Sequence, residues 1–261
     1  MGDYTCVVRE RKRLDVALVE RGLVETRAKA QALVMARRIL VNGKHIEKPG
    51  HSVQIDDVLE VEALEHPWVG RGGMKLAAAL EKFEIDVSGQ ICLDVGASTG
   101  GFTHVMLEQG AALVYAIDVG HGQIDSSLRT HPRVVNREKI NARFLTSGDF
   151  DSPIDFISID VSFISLRLIL PAVVPLLSEH GRIVALIKPQ FEVGKGDVGK
   201  GGIVRDVEKR REVVDGISSF VLGLGLEVVS VMESPIKGAE GNVEFLIYAK
   251  RSDTRSQAPA R

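Results

Sequence analysis

Two groups of residues in this chain have chemical consequences. The first begins with an apolar run, Ile91 to Leu93, that ends in Asp94 and turns through Gly96, Ala97, Ser98, Thr99, Gly100 and Gly101 to Phe102. Twenty-four residues after Asp94, a second apolar run, Leu113 to Ile117, ends in Asp118. A strand, a small-residue turn, a helix and a strand ending in an acid describe an adenosine-binding half-sheet, with Asp118 spaced to accept hydrogen bonds from ribose hydroxyls. The second group is dispersed: Lys75, Asp160, Lys188 and Glu244. Asp160 and Lys188 close apolar runs that read as parallel strands, and ligands of open α/β sheets bind beyond such strand ends. Lys75 opens a predicted helix that should run opposite to the first strand. Glu244 joins them if the last strand is antiparallel.

Two ammonium groups beside two carboxylates suit removal of a proton from a weakly acidic sugar hydroxyl. A lysine acts as a base only when its pKa falls, which a neighbouring ammonium and loss of water bring about. Lys188 is expected to take the proton of a ribose 2′-hydroxyl, with Lys75 steadying the developing alkoxide and Asp160 and Glu244 orienting the pair.

The glycine pattern narrows the adenosine ligand. A dinucleotide fold needs Gly-x-Gly-x-x-Gly to bring a pyrophosphate onto a helix N-terminus. Here the middle glycine is replaced by Ser98, and the turn lacks the Lys-Ser/Thr ending of a phosphate-gripping loop. A small-residue turn with no phosphate grip fits S-adenosylmethionine, whose methionine end is a zwitterion. The Gly194–Lys200 stretch nearly spells a nucleotide-hydrolase loop, but Gly201 stands where a magnesium-binding Ser or Thr is needed.

Predicted elements alternate from about residue 73 onward: helices at 73–83, 101–109, 122–130, 165–177 and 206–222, and strands at 91–95, 113–118, 133–136, 154–160, 182–188, 226–232 and 243–250. This is the pattern of an α/β, Rossmann-like, mostly parallel seven-stranded sheet. The loop from Ser234 to Gly241 is too short for a crossover helix, so the last strand should be antiparallel. The glycine-rich stretch 190–202 is expected to be a mobile lid.

Ahead of it lies a smaller α+β unit, with a helix near 14–20, a second from Thr26 to about Arg38, and a hairpin turning at Asn42-Gly43. Residues 9 to 48 hold eleven Lys or Arg against five acids. Arg27, Gln31 and Arg38 form an expected stripe on the second helix, flanked by Lys29 and Arg37, suited to gripping phosphates. The expected organisation is therefore 1–63 as a small phosphate-gripping unit, 64–70 as linker, 71–251 as the catalytic domain and 252–261 as a disordered tail.

Composition sets outer limits. The 261 residues are 44% apolar and 26% charged with a formal net charge of -2, so a polyanion-binding surface must be local. Only two cysteines occur, Cys6 and Cys92, which indicates neither a disulfide framework nor a metal site. The longest apolar run, Leu168 to Leu177, is interrupted by Pro171 and Pro175 and too short to span a bilayer. The expected compartment is the cytoplasm, with no membrane contact and no protein partner.

Five blocks carry a family resemblance: Arg71 to Leu76, Asp94 to Phe102, Asp160 to Leu166, Ile187 to Glu192, and Gly241 to Phe245. In order and content they resemble the TlyA family, described both as hemolysins and as ribosomal RNA 2′-O-methyltransferases, whose catalytic domain is similar to FtsJ-like methyltransferases. Residues 13–61 resemble the S-four-like RNA-binding domain. The resemblance implies that Lys75, Asp160, Lys188 and Glu244 are the catalytic tetrad. It also implies an S-adenosylmethionine site at Asp94, Gly96, Ala97, Ser98, Thr99, Gly100, Gly101, Phe102, Asp118 and Asp160. RNA contacts are expected at Arg27, Lys29, Arg37, Arg38 and Arg71, and the implied substrate is a ribose of ribosomal RNA, usually a cytidine, in free RNA or in a ribosomal subunit. One departure is Arg37, where the family usually has glycine; a left-handed backbone there costs an L-residue about 1 kcal/mol. The rival readings are a membrane-lytic hemolysin and an RNA-binding protein without catalysis.

Overall fold

The computed structural model describes residues 11–35, 37–62, 66–194, 198–199, 201–238 and 241–252. The expected disordered tail lies outside these residues except for Ser252, as do Cys6, the last residue of the expected first unit (63) and 64–65 of the expected linker. The chain divides into two compact units, Met1–Pro67 and Trp68–Arg261. That boundary falls inside the stretch read as linker.

The first unit runs β1 (Arg11–Arg13), α1 (Leu14–Glu20), α2 (Arg27–Met35), β2 (Ile39–Val41), β3 (Lys44–His45), β4 (Ser52–Gln54) and β5 (Leu59–Val61). Leu14, Leu18, Ala30, Val34 and Ile39 are fully buried in its core. Asn42 and Gly43 both take positive φ, 52° and 75°, as a type I′ turn requires. The pairing of β1 with β4 was not anticipated, because strands of three residues have too little periodicity to register.

The second helix ends earlier than expected. Arg37 follows it with φ 59°, a left-handed conformation that closes the helix. Arg38 is therefore not part of a helical stripe with Arg27 and Gln31.

The second unit runs α3 (Gly73–Lys82), β6 (Ile91–Val95), α4 (Gly101–Glu108), β7 (Leu113–Asp118), α5 (Ser126–Arg129), β8 (Val134–Glu138), β9 (Ile154–Ile159), α6 (Leu166–Val173), β10 (Leu177–Ile187), α7 (Pro189–Glu192), α8 (Val207–Gly223), β11 (Leu226–Glu233) and β12 (Phe245–Arg251). Its strands form one sheet in the order β11-β12-β10-β9-β6-β7-β8. The pairings of β6 with β7 and β9, of β7 with β8, and of β9 with β10 are parallel. β12 is antiparallel to both its neighbours.

Strand alternation divides the core between the two faces of the sheet. Leu93, Val95, Ile157 and Ile159 pack with Leu166, Ile169 and Ile217 on one face. Cys92 and Phe156 pack with Leu76, Leu80, Val105 and Met106 on the other. Asp94 and Ser158, register partners on adjacent strands, alternate onto this second face, beneath α4.

Candidate active site

The carboxyl ends of β6, β7, β9 and β10 open onto two adjoining cavities. One, of about 600 Å³, is lined by Arg71, Lys75, Lys188 and Glu244 together with the Gly96–Thr99 turn. The other, of about 770 Å³, is lined by Asp118, Val119, Asn141, Ala142 and Leu168. Gly96, Ser98, Asp160, Ser162, Phe163 and Phe191 border both.

Topology brings the four dispersed charges together. Asp160 follows β9, Lys188 follows β10, Glu244 immediately precedes the antiparallel β12, and Lys75 sits in the first turn of α3. Lys75 Nζ donates to Glu244 Oε2 at 2.6 Å and lies 3.9 Å from Asp160 Oδ2. Lys188 Nζ is 2.6 Å from Asp160 Oδ1 and donates to Ser162 Oγ at 2.8 Å. Asp160 thus bridges the two ammonium groups, and the set forms a continuous chain from Glu244 to Ser162.

Three close approaches make this geometry possible. A Cβ on Gly96 would lie 2.5 Å from the Asp160 carbonyl oxygen, so only glycine lets the turn lie against the end of β9. A Cβ on Gly238 would collide with Glu244 Oε1. Where α3 meets α4, a Cβ on Gly101 would stand 2.9 Å from the Gly73 nitrogen, and this contact brings the first turn of α3 to the cavity.

The expected ligand-turn residues fall into two groups. Gly96, Ala97, Ser98, Thr99, Gly101 and Phe102 line the first cavity. Gly100 lines neither; at φ 95° it caps α4. Asp94 also lines neither, because strand alternation turns it inward. It is fully buried, accepting from Thr103 Oγ1 at 2.6 Å and Ser158 Oγ at 3.2 Å. Burial pushes its carboxyl up to about 7, with those hydrogen bonds opposing the shift. Asp118 accepts from the Ser98 and Gly120 backbone N–H groups at 2.8 and 2.6 Å, and lone pairs on both oxygens remain for a ligand.

Several lining residues were not anticipated. Val119, Phe163 and Leu168 are 70%, 91% and 53% exposed, an unusual apolar wall beside the Asp118 carboxylate. An apolar wall next to a hydrogen-bonding carboxylate fits the flat faces of a purine and its ribose hydroxyls. Ser162, Gln190 and Asn242 each lie two residues from a tetrad position, and that proximity is the signal that could have found them. Phe163 takes φ 63° and packs on Phe191 with ring centroids 5.1 Å apart. Residues 190–202 are not wholly irregular: Pro189–Glu192 is helical, and Gln190, Phe191, Val198 and Gly202 line the first cavity. Of this expected lid, residues 195–197 and 200 lie outside the described residues.

The expected RNA-contact residues of the first unit are paired with acids. Arg27 Nε is 3.0 Å from the buried Asp15, Lys29 is 3.2 Å from Glu25, Arg37 is 3.3 Å from Glu47 and Arg38 is 3.7 Å from Glu62. Asp15 also accepts from Arg13 and Gln31, and the Arg13 bond above all holds its carboxyl well below the usual carboxylate range. Arg71 stands apart from this group, exposed on the first cavity.

Comparison with known proteins fits this geometry. The FtsJ-like methyltransferase model matches residues 68–251 and the S4 domain model matches 12–59. A Mycobacterium tuberculosis protein named 16S/23S rRNA (cytidine-2′-O)-methyltransferase TlyA is 45% identical over 94% of this chain and 92% of its own length. The chain belongs to the TlyA family of FtsJ-like methyltransferases. A second relative, Hemolysin A of Brachyspira hyodysenteriae, is 42% identical over 90% of this chain and 98% of its own. A solved structure from Streptococcus thermophilus, also carrying the hemolysin name, superposes with a TM-score of 0.73 at 42% identity, covering 94% of this chain and 90% of that one. No helix among the described residues is long and apolar enough to cross a membrane.

Proposed function

We propose that this protein transfers a methyl group from S-adenosylmethionine to a ribose 2′-hydroxyl of ribosomal RNA, a cytidine as in the Mycobacterium tuberculosis relative's name. The observation that carries the reading is the position of Asp160: it borders both cavities and is ion-paired to both lysines. The proton-accepting apparatus therefore stands where an adenosine-sized site meets a second, open site. Family membership and the S4 domain match support the choice of RNA. A ribosomal substrate puts the activity in the cytoplasm.

The cofactor fits the residues present. Asp118 would accept the ribose hydroxyls, Val119 and Leu168 would cover the adenine, and the Gly96–Thr99 turn would hold the methionine end. S-adenosylmethionine supplies an electrophilic methyl on a sulfonium. The side chains then have the proton to manage. Lys188 accepts it from the 2′-hydroxyl, Lys75, paired with Glu244 and Asp160, steadies the negative oxygen, and Arg71 meets a phosphate at the mouth of the site. Holding the reactants in line supplies on the order of 7 to 11 kcal/mol of the barrier reduction.

The deciding experiment is incorporation of tritiated methyl from S-adenosylmethionine into purified ribosomal subunits, with the position mapped by nuclease resistance. Methyl on a 2′-oxygen supports the reading. Methyl on a base, or none on ribosomal RNA, overturns it. Lysis of red cells by the purified protein with no methyl transfer would favour the hemolysin reading.

A further inference from the structure

We infer that Ser162 is a positioning residue that aims the Lys188 nitrogen at the 2′-hydroxyl; this rests on the proposed methyl transfer. The Lys188 ammonium is 2.6 Å from Asp160 Oδ1, but that approach falls outside hydrogen-bond angles. Its one aligned hydrogen bond among the described residues is the 2.8 Å donation to Ser162 Oγ. Rotation about the Lys188 Cε–Nζ bond is therefore set by Ser162, with Asp160 holding the charge in place.

Proton counting gives the consequence. A lysine acting as base is a neutral amine with two N–H bonds and one lone pair. With one N–H fixed on Ser162 Oγ, the second N–H and the lone pair share the two remaining tetrahedral directions of the nitrogen, beside Asp160 and the cavity that both residues line. When the 2′-O–H bond breaks and the new N–H bond forms, the resulting ammonium is already beside the Asp160 carboxylate, so no side chain has to move. Lys75 differs, since its aligned bond goes to the buried Glu244 carboxylate and Asp160 is a second carboxylate nearby. Lys75 thus faces two carboxylates, whereas Lys188 has one carboxylate and a hydroxyl. The serine thus separates the roles of two otherwise similar lysines.

The Ser162 backbone is held independently of its hydroxyl. Glu192, on the segment that follows Lys188, accepts from Ser165 Oγ at 2.6 Å and from the Leu166 N–H at 2.7 Å. Phe163 packs on Phe191 between these points. Removing the Ser162 hydroxyl should therefore leave the loop in place. Ser162 itself is exposed, with room for a methyl group.

The test compares Ser162→Ala and Ser162→Thr with the wild-type chain in single-turnover methyl transfer to ribosomal subunits, and by nuclear magnetic resonance of the chain labelled with nitrogen-15 lysine. In Ser162→Ala the saturated rate should fall roughly 10- to 100-fold, as for loss of a hydrogen bond to a charged group. The subunit KM and the cofactor Kd should stay within about 2-fold, the split expected when binding is untouched. Ser162→Thr, which keeps the hydroxyl, should recover most of the rate. Without cofactor or RNA, the Lys188 ammonium signal should be sharp in the wild type and Ser162→Thr and broadened by exchange in Ser162→Ala. A wild-type rate in Ser162→Ala, a loss confined to KM, or an unchanged Lys188 signal would overturn the inference while leaving the methyltransferase reading intact. Failure of the wild-type chain to methylate any 2′-hydroxyl would overturn both.

Discussion

Lys75 Nζ and Glu244 Oε2 are 2.6 Å apart in a buried hydrogen bond that joins residues 169 positions apart in the chain. The Glu244 side chain is only 2% exposed, so neither charge has water to fall back on if its partner is removed. Glu244→Ala should destabilise the fold by about 3 to 5 kcal/mol, the typical effect of leaving a buried charge unpaired. The double variant Lys75→Met with Glu244→Leu should recover much of that stability while remaining inactive. Urea unfolding of the three chains checks the order, and a double variant no more stable than Glu244→Ala would refute the pairing as the cause.

Gly238 offers a gentler probe of the same carboxylate, since a methyl there collides with Glu244 Oε1. Gly238→Ala should displace Glu244 and lower the rate of methyl transfer by about 10-fold or more, as misplacement at a reacting centre does. Cofactor affinity by calorimetry should be nearly unchanged. A full wild-type rate would mean that the Glu244 position is not critical.

The buried Asp94 predicts a pH dependence of stability. Its carboxyl is raised from an ordinary value of 3.8 to about 7, chiefly by burial. The folded state therefore favours the protonated form: the contribution is fully present below the unfolded value and is lost as pH rises through about 7. Asp94→Asn, neutral at every pH and able to keep bonds to Thr103 and Ser158, should flatten the decline in Tm between these limits. Parallel Tm curves for the two chains would show that Asp94 does not carry the slope.

Arg37 at φ 59° sits in a conformation that costs an L-residue about 1 to 2 kcal/mol, partly offset by the larger entropy that glycine loses on folding. Arg37→Gly should raise the stability of the first unit by about 0.5 to 1 kcal/mol, read as a later thermal transition of the full chain. A lower transition would mean that the Arg37–Glu47 pair outweighs the backbone strain.

Lys29 and Arg38 are on exposed ion pairs that RNA phosphates can replace, because such pairs contribute at most about 1 kcal/mol, and Arg27, though held by the buried Asp15, keeps more than half of its side chain exposed to a phosphate. Replacing the three with glutamine should weaken RNA binding across all sequences and reduce the magnitude of its log–log salt slope by about 2. An unchanged slope would move the phosphate contacts elsewhere on the chain.

Local pattern was enough for much of this molecule. The apolar runs of β6, β7 and β9, the Asn42-Gly43 turn and the reversal of β12 all follow from short-range periodicity, turn stereochemistry or loop length. So did the gathering of Lys75, Asp160, Lys188 and Glu244, because strand direction, and helix direction for Lys75, assigns each to one end of the sheet. Tertiary structure decided what depends on neighbours remote in sequence. Asp94 turns beneath α4 instead of facing the cavities, since its strand face is shared with Ser158 and Thr103. Ser162 holds Lys188, and Arg27 is tied to a buried Asp15. Those outcomes depend on which side chains lie within 3 to 4 Å after packing, a distance that sequence separation does not encode.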